Sequence, residues 1–270
     1  MSTDAAGPPV FTLHHGRLPL LVSVPHAGQA IPSDQRHRYV ERALAVEDTD
    51  WHLERLWAFV VDAGASLLVP HHSRYLIDLN RPVEDTPMYP GRNNTGLLPA
   101  CFFTGEPLYR PGLEPDADER QRRIDRYWQP YHDALRDELE RLRTVHGHAV
   151  LFDAHSIRSE LPWLFEGRLP TFNLGTVDGT SCASTLRADL VAVLDRHVSA
   201  GDCVVDARFK GGHITRHYGR PDLGIHAVQL EMCWRAYMDE DAMAWDDRQV
   251  LAVRPLLADL VSAMTVWRPR

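Results

Sequence analysis

Four side chains capable of chemistry crowd the end of one apolar run. Ala149 to Arg158 reads AVLFDAHSIR: Ala149–Phe152 has the composition of a buried strand, and Asp153, His155, Ser156 and Arg158 follow at once. An acid, an imidazole, a hydroxyl and a guanidinium at the carboxyl end of a strand are what an α/β protein uses to build a ligand site. The pattern recurs twice, where Leu20–Val24 runs into Pro25-His26-Ala27-Gly28 and where Ala227–Leu230 runs into Glu231. Two imidazoles and one carboxylate from separate elements are the usual ligands of a catalytic zinc that keeps its fourth position for water. His26 and His155 supply the imidazoles, and Asp50 of Asp48-Thr49-Asp50 supplies the carboxylate. Asp153, two residues before His155 on the same strand face, is placed to orient a ligand. A cation so held lowers the pKa of its water toward about 7 and polarises a carbonyl oxygen. Glu231, in reach of that water, is the natural general base and then the proton donor to a leaving amine.

Other readings of the same residues stay open on spacing alone. Asp48, Thr49 and Asp50 precede an apolar helical pattern, where a capping residue is expected, so one acid has a structural role and one is spare. A histidine in a turn is commonly just solvated. Ser156 and Ser23 adjoin the key histidines, which suits a serine–histidine mechanism, but there is no G-x-S-x-G elbow. Of Cys101, Cys182, Cys203 and Cys233, only Cys233 has polar neighbours of the kind a nucleophilic thiol needs. A metal-binding module without catalysis would explain the histidines and leave the arginines without a reason. Nitrogen and carboxylate ligands suit one divalent ion, zinc first, while iron, cobalt and manganese remain compatible.

The elements that must position these groups read as an α/β alternation. Strands are expected over Leu18–Val24, Ser66–Pro70, Tyr75–Leu79, Ala149–Phe152, Phe172–Thr176, from Val204, and over Ala227–Leu230. Helical spacing runs over Ser33–Ala63, over Asp116–Val145 with a kink at Pro130 and a stop at Gly147, over Leu186–Val198 and over Val250–Met264. Arg81, pinned between the Tyr75–Leu79 strand and Pro82, suits bidentate capture of a carboxylate. Pro82–Pro115, rich in Pro and Gly but carrying buried-type aromatics, reads as a lid over the site. The run from Arg208 to Gly219 is dense in donors (Lys210, Thr215, Arg216, Tyr218) and glycines, a fair anion cradle. The whole is read as a single domain, 1–270, with residues 1–9 a loose tail.

A net charge of −8 over 270 residues argues against nucleic acid or an anionic membrane as the main partner, yet leaves room for a small anionic substrate held by local arginines. No apolar stretch is expected to reach the roughly 20 residues that span a bilayer. The N-terminus lacks the pattern of a signal peptide. Four scattered cysteines without a C-x-x-C pair point to a reduced, cytoplasmic protein. Nothing in the sequence specifies an oligomeric state.

At these residues the chain resembles the N-formylglutamate amidohydrolase family. The stretches that carry the likeness are LPLLVSVPHAG, DTDWHLERL, SRYLIDLNRP, LFDAHSIRS and RFKGGHITRHYG followed by HAVQLEM, spanning Leu18 to Met232. The resemblance implies a three-layer α/β/α fold around a mixed, mostly parallel sheet, as in hydrolases of the zinc carboxypeptidase and aspartoacylase type. It also implies metal-dependent hydrolysis of N-formyl-L-glutamate to formate and L-glutamate, the end of one route of histidine degradation. By position, His26 and His155 match the metal histidines, Asp50 the carboxylate ligand with Asp48 as alternate, and Glu231 the general base. Arg81 with Asn80 would be similar to a carboxylate-gripping Asn-Arg pair, and Arg74, Arg158 and Arg216 are further substrate-binding candidates beside Thr215 and Lys210. A related deacylase of another N-acyl acidic amino acid is the nearest alternative.

Overall fold

The structure, a computed structural model, describes residues 9–86 and 93–269. The expected loose tail therefore falls almost wholly outside the described residues, as do positions 87–92 of the expected lid. Seven strands form one sheet: β1 (Phe11–His14), β2 (Leu20–Ser23), β3 (Ser66–Pro70), β4 (Ala149–Ile157), β5 (Phe172–Gly175), β6 (Cys203–Val205) and β7 (Ile225–Cys233). Their order is β1-β3-β2-β4-β7-β5-β6. The central strands β3, β2, β4 and β7 run parallel, β1 pairs antiparallel with β3 and β5 antiparallel with β7, and β6 runs parallel to β5.

The helices are α1 (Leu53–Trp57), α2 (Phe59–Asp62), α3 (Ala117–Arg123), α4 (Gln129–His146), α5 (Ser184–His197), α6 (His213–Tyr218) and α7 (Asp247–Val266). Side chains alternate across a strand, so the central strands must be apolar on both faces, and they are. Leu20, Val22, Val150, Phe152, Val228 and Leu230 face one core with α1, α2, α5 and α7. Leu21, Leu68, Leu151 and Ala227 face the other, filled by Tyr131, Leu135, Leu139 and Leu142 of α4. This is a three-layer α/β/α arrangement around a mixed, mostly parallel sheet.

Several elements differ from expectation. Ser33–Ala63 is not one helix. It breaks into short 3-10 turns at Arg36–Arg38 and Glu41–Ala45 and then α1 and α2, because Val46 and His52 adopt the left-handed conformation at φ 48° and 62°. Tyr75–Leu79 pairs with no strand; it begins in a turn, Leu76 N–H donating to the Ser73 carbonyl at 2.9 Å. α6 replaces part of the expected 208–219 loop, with Gly212 at its N-cap position. The kink at Pro130 takes the form of a π turn over Ile124–Trp128. Proline offers no N–H to the carbonyl four residues back, and the helix widens there to find another donor. The π turn sets Trp128 so that its indole N–H donates to the Arg81 carbonyl at 2.9 Å. Finally, α7 has the length and the mean hydropathy (1.4) of a membrane span, contrary to expectation. In this fold Val253, Leu257, Leu260 and Met264 turn one of its faces into the core.

Candidate metal-centred active site

β4 and β7 continue past the points where the apolar runs stop, so Asp153, His155 and Glu231 sit within strands rather than at strand ends. In the parallel register Asp153 lies opposite Gln229 and His155 opposite Glu231. With a side-chain period of two, these four residues share one face. His26 comes from the turn after β2. Gly28 closes that turn with its α-carbon hard against the backbone of His72: a Cβ there would lie 2.2 Å from the His72 carbonyl oxygen. Asp50 is delivered by the strained segment between Val46 and His52, and its N–H donates to the His26 carbonyl at 3.0 Å.

The result is a cluster of His26, Asp50 and His155, all buried, with one potential ligand atom from each lying within 4.8 Å of one another. Asp50 Oδ2 lies 3.2 Å from His155 Nδ1 and 3.8 Å from His26 Nδ1, and it accepts the Ser156 N–H at 3.0 Å. The opposite ring nitrogens are held from behind. His26 Nε2 is 2.7 Å from Asp78 Oδ1, and His155 Nε2 is 3.1 Å from Asp153 Oδ2 and 2.9 Å from the Asn80 amide. A histidine whose Nε2–H is donated to a carboxylate presents the Nδ1 lone pair forward, the arrangement that serves a metal ligand. Three convergent donors of this kind fit a divalent cation that prefers nitrogen and carboxylate oxygen, zinc foremost.

Burial lowers the pKa of His26, with the Arg74 charge adding to the effect, so this ring is neutral. Asp78, despite burial, is held well below the usual carboxylate range by His26, Arg74 and Arg81. Burial also works against charge at Asp50 and His155, but each is outweighed: Asp50 is lowered by the two histidines and Arg74, and His155 is raised by Asp153 and Asp50. Glu231 has no such compensation. Burial pushes it up to about 8, His155 pulling it partly back and Asp50 raising it further.

These groups open into a cleft. Of the expected substrate-binding residues, the structure brings Arg74, Asn80 and Arg81 into the cleft lining. Arg74 is buried and bound to Asp78 at 2.7 Å, with Asp50 at 3.8 Å and the Phe103 ring beneath its guanidinium at 4.7 Å. Arg81 is oriented by the carbonyls of Thr95 (2.9 Å) and Asn80 (3.0 Å). The other four lie outside that lining. Arg158 stacks over Trp234 at 4.9 Å, Lys210 pairs with Asp178 at 2.9 Å, Arg216 donates to the Gly211 carbonyl at 2.9 Å, and Thr215 donates to Asp153 at 3.3 Å. Asp48, the alternate ligand, turns elsewhere, accepting the Tyr75 hydroxyl at 2.7 Å and the Phe103 N–H at 2.9 Å. Through this bond it holds one wall of the cleft, because Phe103, Asn93 and Thr95 line it from the segment expected to be a lid. The described part of that segment is well packed, with Leu97, Phe102 and Leu108 fully buried.

Asp78, buried behind the cleft, and Gln229 and Arg208 in its lining were not named as site residues from sequence. Asp78 ties His26 to Arg74, and its signal was an acid four residues after Arg74 and two before Asn80. Gln229 precedes Glu231 by one strand period and accepts the Gly212 N–H at 2.6 Å. Arg208 opens the donor-rich stretch after β6, and only its position in space marks it.

The model of the N-formylglutamate amidohydrolase family matches residues 18–238. The N-formylglutamate deformylases of Pseudomonas putida and Pseudomonas aeruginosa are each 47% identical to this chain over 259 residues, which is 96% of it and 96% and 97% of their own lengths. The crystal structure of N-formylglutamate amidohydrolase from Ralstonia eutropha JMP134 aligns with a TM-score of 0.80 at 28% identity, over 95% of this chain and 97% of that one. The matched region runs from β2 to beyond Glu231, so every element that builds the cluster lies within it: the chain belongs to the N-formylglutamate amidohydrolase family and is an amidohydrolase.

Proposed function

We propose that the protein is a metal-dependent deformylase that converts N-formyl-L-glutamate and water to formate and L-glutamate, with His26, Asp50 and His155 as ligands of one zinc ion. The observation that carries this reading is the cluster of these three residues, with Glu231 beside His155 across the β4–β7 pair. The names of the relatives supply the substrate.

When bound, the divalent ion supplies Lewis acidity to a carbonyl oxygen and makes water acidic near neutral pH. The protein does the rest. Glu231, made more basic by burial, accepts a proton from the attacking water as its oxygen bonds to the formyl carbon. The same carboxyl returns that proton to the glutamate nitrogen as the C–N bond breaks, so the amine leaves neutral. Arg74, buried beside Asp50, places a fixed positive charge where negative charge develops on the formyl oxygen. Asn80 and Arg81 hold a substrate carboxylate. This chemistry is that of the closing step of a histidine degradation route, and four free cysteines agree with a cytoplasmic setting.

The test is formate release from N-formyl-L-glutamate, with N-acetyl-L-glutamate and N-formyl-L-aspartate alongside, before and after chelation and after zinc is returned. Turnover that favours N-formyl-L-glutamate, falls on chelation and returns with zinc is the expected result. Preference for an acetyl substrate would make the protein a related deacylase, since one methyl is worth only about 1–3 kcal/mol of discrimination. Full activity in metal-free protein would overturn the mechanism.

A further inference from the structure

Asp48 stands two residues before the proposed ligand Asp50, yet it holds a wall of the cleft and not the cluster. Its Oδ2 accepts the Phe103 N–H at 2.9 Å and the Tyr75 hydroxyl at 2.7 Å. The turn that carries Phe103 is fixed on its other sides as well. Phe102 N–H donates to the Glu106 carbonyl and Gly105 N–H to the Phe102 carbonyl, both at 2.9 Å. Gly105 closes the turn at φ 97°, so near Trp163 that a Cβ would lie 2.6 Å from the indole. The Phe103 ring packs with Ile157, Leu161 and Leu169 in a small apolar cluster of its own. A ring held in this way cannot withdraw without breaking the Asp48 bond or that packing.

The wall has a definite place relative to the reacting groups. Asp153, His155 and Ile157 follow one another on one face of β4, at the strand period of two. The Asn80 amide bonds to Asp153 at 3.3 Å and to His155 at 2.9 Å, and Arg81 follows it. The pair that would hold a substrate carboxylate is therefore on the Asp153 side of His155. Ile157, with Phe103 packed against it, is on the other side, and both line the cleft. Phe103 also lies beneath the guanidinium of Arg74, the proposed partner of the formyl oxygen, with Cζ 4.7 Å from the ring centre. A formyl carbon bears an oxygen, the amide nitrogen and a hydrogen. With the oxygen at Arg74 and the nitrogen carrying the amino acid toward Asn80 and Arg81, the third position faces Phe103 and Ile157. In an acetyl or larger acyl group that position is occupied by carbon.

We propose that Phe103 sets the size of acyl group that the enzyme accepts, with Asp48 as the positioning residue that holds it in place. This inference rests on the reading above that the substrate is an N-acyl glutamate. Its test separates from the choice of formyl, because it follows how the size limit moves between variants and not which acyl group wild type prefers.

The experiment measures kcat/KM of zinc-loaded wild type, Phe103→Ala and Phe103→Leu on the N-formyl, N-acetyl, N-propionyl and N-butyryl derivatives of L-glutamate. The quantity read is the ratio of kcat/KM for the acyl group one carbon larger than the preferred one to kcat/KM for the preferred one. That ratio should rise about 10- to 100-fold in Phe103→Ala, since one methyl is worth that much in a closed apolar site, and by less in Phe103→Leu. Loss of the ring beneath Arg74 lowers turnover of all four substrates alike and cancels in the ratio. Asp48→Ala, which frees the Phe103 N–H, should move the ratio in the same direction by a smaller factor while keeping one equivalent of zinc. Phe103→Leu retains most of the packing and carries the comparison should Phe103→Ala not fold. An unchanged ratio, or equal losses on all four substrates, would overturn the proposal. A wild type that prefers the acetyl group would overturn the deformylase reading, and the Phe103 comparison would then be read on the propionyl and butyryl substrates.

Discussion

Asp78 illustrates how much of this site lies behind the residues that would touch a metal. One carboxylate binds His26 Nε2 and the Arg74 guanidinium at 2.7 Å each and also accepts the Asn80 backbone N–H at 2.8 Å. It fixes a proposed ligand, a proposed oxyanion partner and the start of the Asn80-Arg81 pair together. Asp78→Asn should therefore weaken zinc binding about 10- to 100-fold, as loss of a carboxylate behind a ligating histidine does; a competition titration with a chromogenic chelator measures it. Unchanged affinity would mean that His26 does not need the bond or does not bind the ion. Glu231→Gln separates proton transfer from metal binding. It should retain one equivalent of zinc by elemental analysis while kcat falls by about 10²- to 10⁴-fold. A normal kcat would remove Glu231 from the base role. At this scale the sequence was informative where a residue's type is itself the signal, as with His26, His155 and Glu231 after apolar runs. It was uninformative where only distance matters: nothing in the type of Asp78 or Arg208 separates them from other acids and arginines of the chain.

At the scale of elements, the legible parts were those held by local periodicity. Ser66–Pro70 was read at its observed bounds, and α4, α5 and α7 show their apolar stripes in one dimension. The failures came where burial is not one-sided. Tyr75, Leu76, Ile77 and Leu79 are all buried, yet they form no ladder, because they run through the interior beneath the cleft and not along the sheet. The 33–63 stretch carries apolar spacing that fits a helix, but the backbone reverses at Val46 and His52 to bring Asp50 inward. A β-branched residue in the left-handed region is strain of the kind that collects at functional sites. The turn that carries His26 gives the matching prediction. Gly28 has no room for a methyl group, the obstacle being the His72 backbone, to which the turn is also bonded through Gln29 N and Ala30 N at the His71 carbonyl (3.1 and 2.9 Å). Gly28→Ala should cost about 1–3 kcal/mol in urea unfolding and displace His26 with the turn, so zinc affinity should fall too. A variant of unchanged stability would show that the turn can slide off the His71–His72 segment, and would count against a rigid site.

Over the whole molecule, the histidines matter beyond the site. Burial depresses His132 to about 3, and His213 and His226 to about 4, against an ordinary value of 6.5. His132 is buried on α4, its Nε2–H donating to the Leu79 carbonyl at 2.8 Å and its ring stacked on Trp128 at 3.7 Å. These rings are neutral when folded and protonated when unfolded throughout the interval between the two values. Through these rings the unfolded chain binds more protons there, and their contribution to stability rises with pH across it. The sign is opposite for His155, which Asp153 and Asp50 raise, but it is the one described histidine with a resolved shift upward, and a bound cation would keep it neutral. As pH falls from 6.5 to about 4, each of the three rings should lower the unfolding free energy by at most about 1.4 kcal/mol per pH unit, while Glu231, raised to about 8, and Asp48, raised to about 6, act with the opposite sign, so the effect of one ring is read as the difference between wild type and a variant. Urea midpoints at half-unit intervals from pH 8 to 4.5 would trace it, and His132→Gln, whose amide can still donate to Leu79, should flatten the slope. An identical pH slope in wild type and His132→Gln would mean that His132 accepts a proton within the fold, and that the packing around its ring admits water.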